Sequence, residues 1–367
     1  MPTRPPTRRR RPAAPLLLHA KLQRPNLEAS VLERPALLAE LAAHAGRPLT
    51  LLTADAGWGK TTLAADFVRR AHRPVVWYAL QSSDSDLRVF GLHLLAGFRQ
   101  ESPRFGAACA RLLDDPRPIG RGAEMLAEVF AQALGELKGP PRLLVLDDFH
   151  AVAGAAEVVT FVDALLRVLP AGLRLLLTSR TVPPLALERM RVRGEVFELD
   201  ASRLRLAREE IAALALARLG RAVEPAELER LEDATAGWPT AVRLVLEALR
   251  REPERPFASV VAELRVPEVE LRAFFAAEVY RRLEPAAREL LEHTAVFERF
   301  DAPLAAALAR QRDARGPLDA LARRGLLRSF GAGAGATYEW NGPVRAFVRD
   351  ELTAREGAEG MRAREAA

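Results

Sequence analysis

Residues 49–53 form an apolar run that leads directly into Ala54-Asp55-Ala56-Gly57-Trp58-Gly59-Lys60-Thr61-Thr62, and Leu63-Ala64-Ala65 follows at once. This order predicts a strand, a glycine-rich turn and a helix whose first amides point into the turn. Of the 54 lysines and arginines only three are lysine, at positions 21, 60 and 138. Arginine therefore serves almost wherever a charge alone is wanted. Its guanidinium is a bulky planar fork, whereas a lysine is a compact point charge that lies along a loop and reaches a phosphate oxygen. A lysine retained at position 60 points to phosphate.

Backbone N–H groups in such a turn form an anion nest, and the helix N-terminus adds about half a positive charge. Ala56, Gly57, Trp58 and Gly59 would wrap the phosphates. Lys60 would reach the β and γ oxygens, and Thr61 would offer its hydroxyl to Mg²⁺. Thr62 lies at the same helix start, either beside the phosphates or packed in the helix. The general pattern G-x-x-x-x-G-K-[ST] asks for glycine at position 54, where this chain has Ala54. An ordinary strand-to-helix turn carrying one exposed lysine is the competing reading.

A second segment, Arg142-Leu143-Leu144-Val145-Leu146-Asp147-Asp148-Phe149-His150, is an apolar strand ending in two carboxylates. Parallel sheets place ligands at such strand ends. Asp147 would hold Mg²⁺ directly or through water, while Asp148 would orient an attacking water or cap the following turn. A third strand, residues 173–178, runs into Ser179-Arg180, so Arg180 reaches either a γ-phosphate or a surface carboxylate. His150 lies near these acids in a supporting or exposed role rather than a catalytic one.

The composition is that of a cytosolic, cytoplasmic globular protein, with 49% hydrophobic residues and a length suited to two or three domains. The single cysteine, Cys109, excludes an internal disulfide framework and a cysteine-based zinc site, and reads as a small buried hydrophobe. The six histidines show no metal-ligand spacing. The formal charge of +6 is concentrated in Arg4 and Arg8-Arg9-Arg10-Arg11, which leaves the rest near +1. Residues 1–20 are expected to be a disordered basic tail, solvated or touching nucleic acid or anionic surfaces. No run approaches the ~18 apolar residues of a membrane span.

Residues 21–200 alternate short apolar strands (49–53, 75–80, 143–146, 173–178 and 196–199) with helical stretches, which predicts a parallel α/β sheet. Residues 160–169 read as one of those helices. From 201 to 256 the strands give way to helices at 208–219, 225–235 and 240–249. In 257–352 helices at 268–283, 285–296 and 318–324 precede apolar segments 326–330 and 337–340, which flank glycine-rich 331–335. That pair predicts a small hairpin, so the unit reads as a winged helix. Residues 344–352 and the helices before them lack a concentrated basic face, which favours an intramolecular packing module over specific DNA binding.

Taken in order, Lys21-Leu22-Gln23-Arg24-Pro25, the segment from Thr53 to Leu63, residues 144–150, Leu177-Thr178-Ser179-Arg180 and Ala236-Gly237-Trp238-Pro239 resemble the ATPase core of MalT-like regulators. These are signal-transduction ATPases with numerous domains (STAND), related to NB-ARC proteins and found in large LuxR-type activators. Five separated motifs agree over about residues 21–352. In that family the first motif often reads T-A-P-A-G-Y-G-K-T-T, which Ala54 fits. The resemblance implies an α/β P-loop NTPase of AAA-like type, followed by an all-α domain and a winged helix. It also implies an ATP/ADP switch with Mg²⁺, closed with ADP and opened to self-association with ATP. Carried over, Lys60 and Thr61 hold phosphate and magnesium, Asp147 and Asp148 serve metal and water, Arg180 senses the γ-phosphate, and Pro239 sits near the nucleotide.

Two departures from the family stand out. The family's winged helix often carries Y-H-P-L-F, whereas this chain has Trp340-Asn341-Gly342-Pro343-Val344. Asn341 therefore either replaces a phosphate-reading histidine or turns the chain before Gly342. The family also continues into a superhelical repeat sensor and a DNA-binding output domain. Residues 353–367 are expected to be a tail or the start of that repeat, in a truncated piece or a protein with a separate output partner. The sequence thus predicts a weak, slow ATPase serving as a switch. The alternatives are an AAA-type ATPase or kinase acting on a substrate, and a nucleotide-dead interaction scaffold.

Overall fold

The computed structural model describes residues 17–27, 31–114, 122–263, 276, 279–330 and 335–366. The five predicted strands form one parallel sheet: β1 (Leu49–Thr53), β2 (Val75–Ala79), β3 (Arg142–Asp147), β4 (Leu173–Ser179) and β5 (Val196–Asp200), ordered β2-β3-β4-β1-β5. Strands covered on both faces must be apolar at successive positions, and β1 and β3 are buried along their whole lengths. The period of two still divides them. Leu49, Leu51, Leu144, Leu146, Leu175 and Leu177 join the core beneath the helices Leu87–Arg99, Gly122–Gly135 and Ala156–Arg167. Leu52, Leu143, Val145 and Leu176 join a second core on the opposite face. Cys109 is buried in the first, where burial pushes its thiol up to about 11, so it acts as packing.

The second core runs without interruption from the sheet through the helices Arg208–Leu219, Pro225–Thr235 and Pro239–Arg251 into the winged helix. There Leu290, Leu318, Tyr338, Trp340 and Phe347 are buried together. The predicted hairpin is present as β7 (Leu327–Phe330) and β8 (Thr337–Trp340), paired antiparallel. A third strand, β6 (Arg299–Asp301), pairs with the other edge of β8. Sequence reading missed it because three residues show no period. Phe300 alone points inward, between two exposed residues.

The strands at 75–80, 143–146, 173–178 and 196–199 shift by one residue at their ends, and the helix expected at 160–169 occupies Ala156–Arg167. The helices at 208–219 and 225–235 have the expected bounds, and the next begins at Pro239, whose fixed φ suits a first helical position. The helix expected at 268–283 falls mainly outside the described residues, and its described end is a 3-10 turn, Tyr280–Arg282. Residues 1–16 of the basic tail and 331–334 of the glycine-rich loop also lie outside them. The last helix, Gly342–Ala366, continues past residue 352 and breaks at Gly357. Among the described residues, no helix is long and apolar enough to cross a membrane.

Candidate functional site

β1 lies between β4 and β5, so its end opens where neighbouring connections leave in opposite directions, the usual place for a ligand in a parallel sheet. Gly57 and Gly59 both have φ near +75° (79° and 75°), a conformation that glycine adopts without strain. Gly57 also lacks room for a side chain, because a Cβ there would come within 2.5 Å of Thr240 Oγ1. The helix Lys60–Arg70 starts directly after this turn. Lys60 is 6% exposed, and its Nζ donates to the carbonyl of Asp55 at 2.9 Å. Burial lowers its pKa to about 8, against the opposing charges of Asp148 and Asp55. A buried amine whose hydrogen bond goes to a carbonyl rather than a carboxylate has charge to spare for an anion.

Thr61 Oγ1 donates to Asp147 Oδ1 at 2.9 Å, and Thr178 Oγ1 donates to the same oxygen at 2.6 Å. Thr178 Oγ1 in turn accepts from the Asp148 amide at 2.9 Å. Asp147 is 3% exposed, and burial above all raises its pKa, with the Asp148 charge adding to the rise. A buried carboxylate beside a threonine hydroxyl is a donor set for a hard cation. Asp148 takes the left-handed conformation, φ 61°, and its side chain makes no capping hydrogen bond to the turn Phe149–Ala151. Its Oδ1 lies 3.7 Å from His150 Nδ1, a buried atom without a hydrogen-bond partner. Burial, helped by Arg180 and Lys60, lowers the His150 pKa to about 4, so the ring is neutral at pH 7.

Ala56, Gly57, Trp58, Gly59, Lys60, Thr61, Thr62, Asp148, Arg180 and Pro239 all line one cleft of about 780 Å³, and Asp147, itself outside the lining, accepts a hydrogen bond from Thr61. Arg180, at the end of β4, opens on the same space. Thr62 is exposed rather than packed into the helix. Sequence reading missed Thr240, Arg218 and Arg243, which also line the cleft. Thr240 donates from both its amide (3.3 Å) and its hydroxyl (2.9 Å) to the Gly57 carbonyl, tying the helical unit to the turn. Its position directly after Pro239 was the available signal.

A second set of contacts joins the turn to the winged helix. Asp55, 1% exposed, accepts from Arg324 Nη2 at 2.7 Å and Nε at 3.1 Å, and its amide donates to the Arg324 carbonyl at 3.0 Å. Trp58 packs against Gly325, where a Cβ would meet the indole at 2.2 Å. Position 55 carries a carboxylate where the family motif quoted above has proline, and that was the missed signal. Asn341 stands directly before the last helix, in the turn that is one of the two roles its sequence position allows. Its Nδ2 donates to the Gly325 carbonyl at 3.3 Å and its own carbonyl accepts from Arg345 at the start of the last helix. It lines a separate cleft that shares Trp58 with the one beside Lys60.

Comparison with known proteins agrees with this geometry. Residues 32–178 match an AAA ATPase domain and residues 276–360 match the MalT winged helix domain. The chain is 28% identical over 339 residues to the HTH-type transcriptional regulator MalT of Cronobacter sakazakii, covering 91% of this chain and 36% of that protein. It is 30% identical over 315 residues to MalT of Serratia proteamaculans, covering 85% of this chain and 34% of that protein. It thus spans about a third of the length of the curated relatives it matches. A Walker-type ATPase of Pyrococcus abyssi has the same fold, with a TM-score of 0.54 at 15% identity, covering 87% of this chain and 96% of the other.

Proposed function

We infer that this chain, which is MalT-like in its ATPase and winged-helix parts, is an ATP/ADP-binding switch with Mg²⁺, the regulatory core of a transcriptional regulator. The observation that carries the reading is Lys60, buried at the mouth of the cleft with only a backbone carbonyl as its hydrogen-bond acceptor among the described residues. The basic lining of Lys60, Arg180, Arg218 and Arg243 suits a polyphosphate. In this reading Ala56, Gly57, Trp58, Gly59 and Thr62 surround the phosphates and Pro239 approaches the nucleotide from the helical unit. Thr61 and Asp147 hold Mg²⁺, which would neutralise phosphate charge. Asp148 orients water, with neutral His150 beside it, and Arg180 meets the γ-phosphate.

The units are residues 21–200 for the nucleotide, 201–256 for the helical domain and 257–352 for the winged helix, acting in the cytoplasm. The Asp55–Arg324 pair holds the turn against the winged helix, and ATP favours release and self-association, with sensor and DNA-binding functions on other domains or partners. Hydrolysis is slow, since a switch needs different affinities in its two states rather than rapid turnover. Sedimentation and small-angle scattering with Mg-ADP and with Mg-ATP test this. A compact monomer with ADP and larger species with ATP are expected. Identical profiles, or fast turnover without a partner, would replace the switch with an ATPase that acts on a substrate.

A further inference from the structure

The cleft behind Trp58, about 350 Å³, lies between Ser202 and Arg205 on one side and Leu327, Arg328 and Asn341 of the winged helix on the other. Its volume falls at the lower end of small-molecule sites, which run from ~300 to 1,000 Å³. Three of its lining residues carry buried polar atoms without hydrogen-bond partners: Arg205 Nε, Arg328 Nε and Asn341 Oδ1. Buried polar groups are nearly always satisfied, so three converging on one cavity call for an explanation.

The charges are only partly compensated. Among the described residues no carboxylate forms an ion pair with Arg205, and its charged form is disfavoured by burial first and by the charge of Arg328 second, with Glu232 and Asp200 opposing from further off. Arg328 shares its one carboxylate, Glu339, with Arg299. The acids that face the cleft are engaged elsewhere. Asp200 accepts from the Ser202 amide at 2.9 Å and its hydroxyl at 2.5 Å, and Asp319 accepts from the Tyr338 hydroxyl at 2.5 Å. Asn341 is 2% exposed and supplies an acceptor, with the Trp58 indole as an apolar wall.

We propose that this cleft is a second ligand site, which takes a small organic phosphate bearing a hydroxyl group. Arg205 and Arg328 grip the phosphate, and Asn341 Oδ1 accepts from the hydroxyl. A flat carboxylate satisfies one guanidinium fork, whereas a tetrahedral, doubly charged phosphate presents oxygens to two at once. The site is separate from the Lys60 cleft and does not depend on nucleotide binding there.

Calorimetry on the Lys60→Ala full chain keeps phosphate binding at the Lys60 turn out of the measurement. Ribose 5-phosphate should bind, with orthophosphate and citrate weaker and ribose silent. Adding Arg205→Gln should weaken ribose 5-phosphate about tenfold or more, the loss expected for a charge-assisted hydrogen bond. No binding of ribose 5-phosphate, binding indifferent to Arg205→Gln, or equal binding of orthophosphate or citrate would overturn the proposal. A second reading comes from thermal unfolding without ligand. An arginine kept unpaired for a ligand costs stability, so Arg205→Gln alone should raise Tm by about 2 °C. A lowered Tm would make Arg205 a structural residue and overturn the assignment.

Discussion

At the scale of single residues, the buried amine of Lys60 sets how the cleft responds to pH. Its pKa is lowered to about 8 in the free protein, and adjacent phosphates raise it again because they favour the charged form. Between pH 7 and about 9 the free amine loses its proton while the bound one keeps it, so binding takes up a proton and affinity falls as pH rises. Calorimetry of ATP with the wild-type protein at pH 8.5, in two buffers of different ionisation heat, should show net proton uptake; binding heats that do not depend on the buffer would contradict it. Asp147→Ala should remove the Mg²⁺-dependent part of ATP affinity and stop hydrolysis, with the circular dichroism spectrum intact. The placement of Lys60, Thr61 and Asp147 at one end of the sheet was legible in the sequence because each sits in a contiguous run whose strand or helix fixes where it points. Thr240, Asp55 and Asn341 were not. What they do depends on which element packs across from them, and no local period encodes that.

Among the elements, the parallel strands were the most legible, since strands buried on both faces write continuous apolar runs into the sequence. The segment Arg299–Asp301 was invisible for the opposite reason, pairing along one edge with a single inward residue. The turn at 54–59 and the segment just before β7 meet with no room for a side chain at Gly325. Gly325 has φ +83° and faces Trp58 and Ala201, with Ala201 2.8 Å from where a Cβ would stand. Gly325→Ala therefore adds a strained conformation to a steric clash and should cost about 1–3 kcal/mol by chemical denaturation. The loss should concentrate in the contact between the units, seen as faster hydrogen exchange in Leu327–Phe330 before the parallel sheet. Uniform protection across both would mean that the indole moves aside freely.

For the whole molecule, one apolar core joins sheet, helical unit and winged helix, and the buried Asp55–Arg324 pair spans its two ends. Removing one partner of a buried pair leaves the other uncompensated, at roughly 3–5 kcal/mol. That is enough to invert a balance between closed and open arrangements. Arg324→Met should expand the chain in small-angle scattering and promote self-association without nucleotide; an unchanged radius would make the pair a local contact only. All of this presupposes that the cleft beside Lys60 holds a nucleotide, and titration calorimetry of Mg-ATP and Mg-ADP into wild-type and Lys60→Ala protein tests it most directly. Wild type should bind both nucleotides, and the variant, still folded, should no longer bind ATP. Unchanged ATP affinity in Lys60→Ala would contradict it.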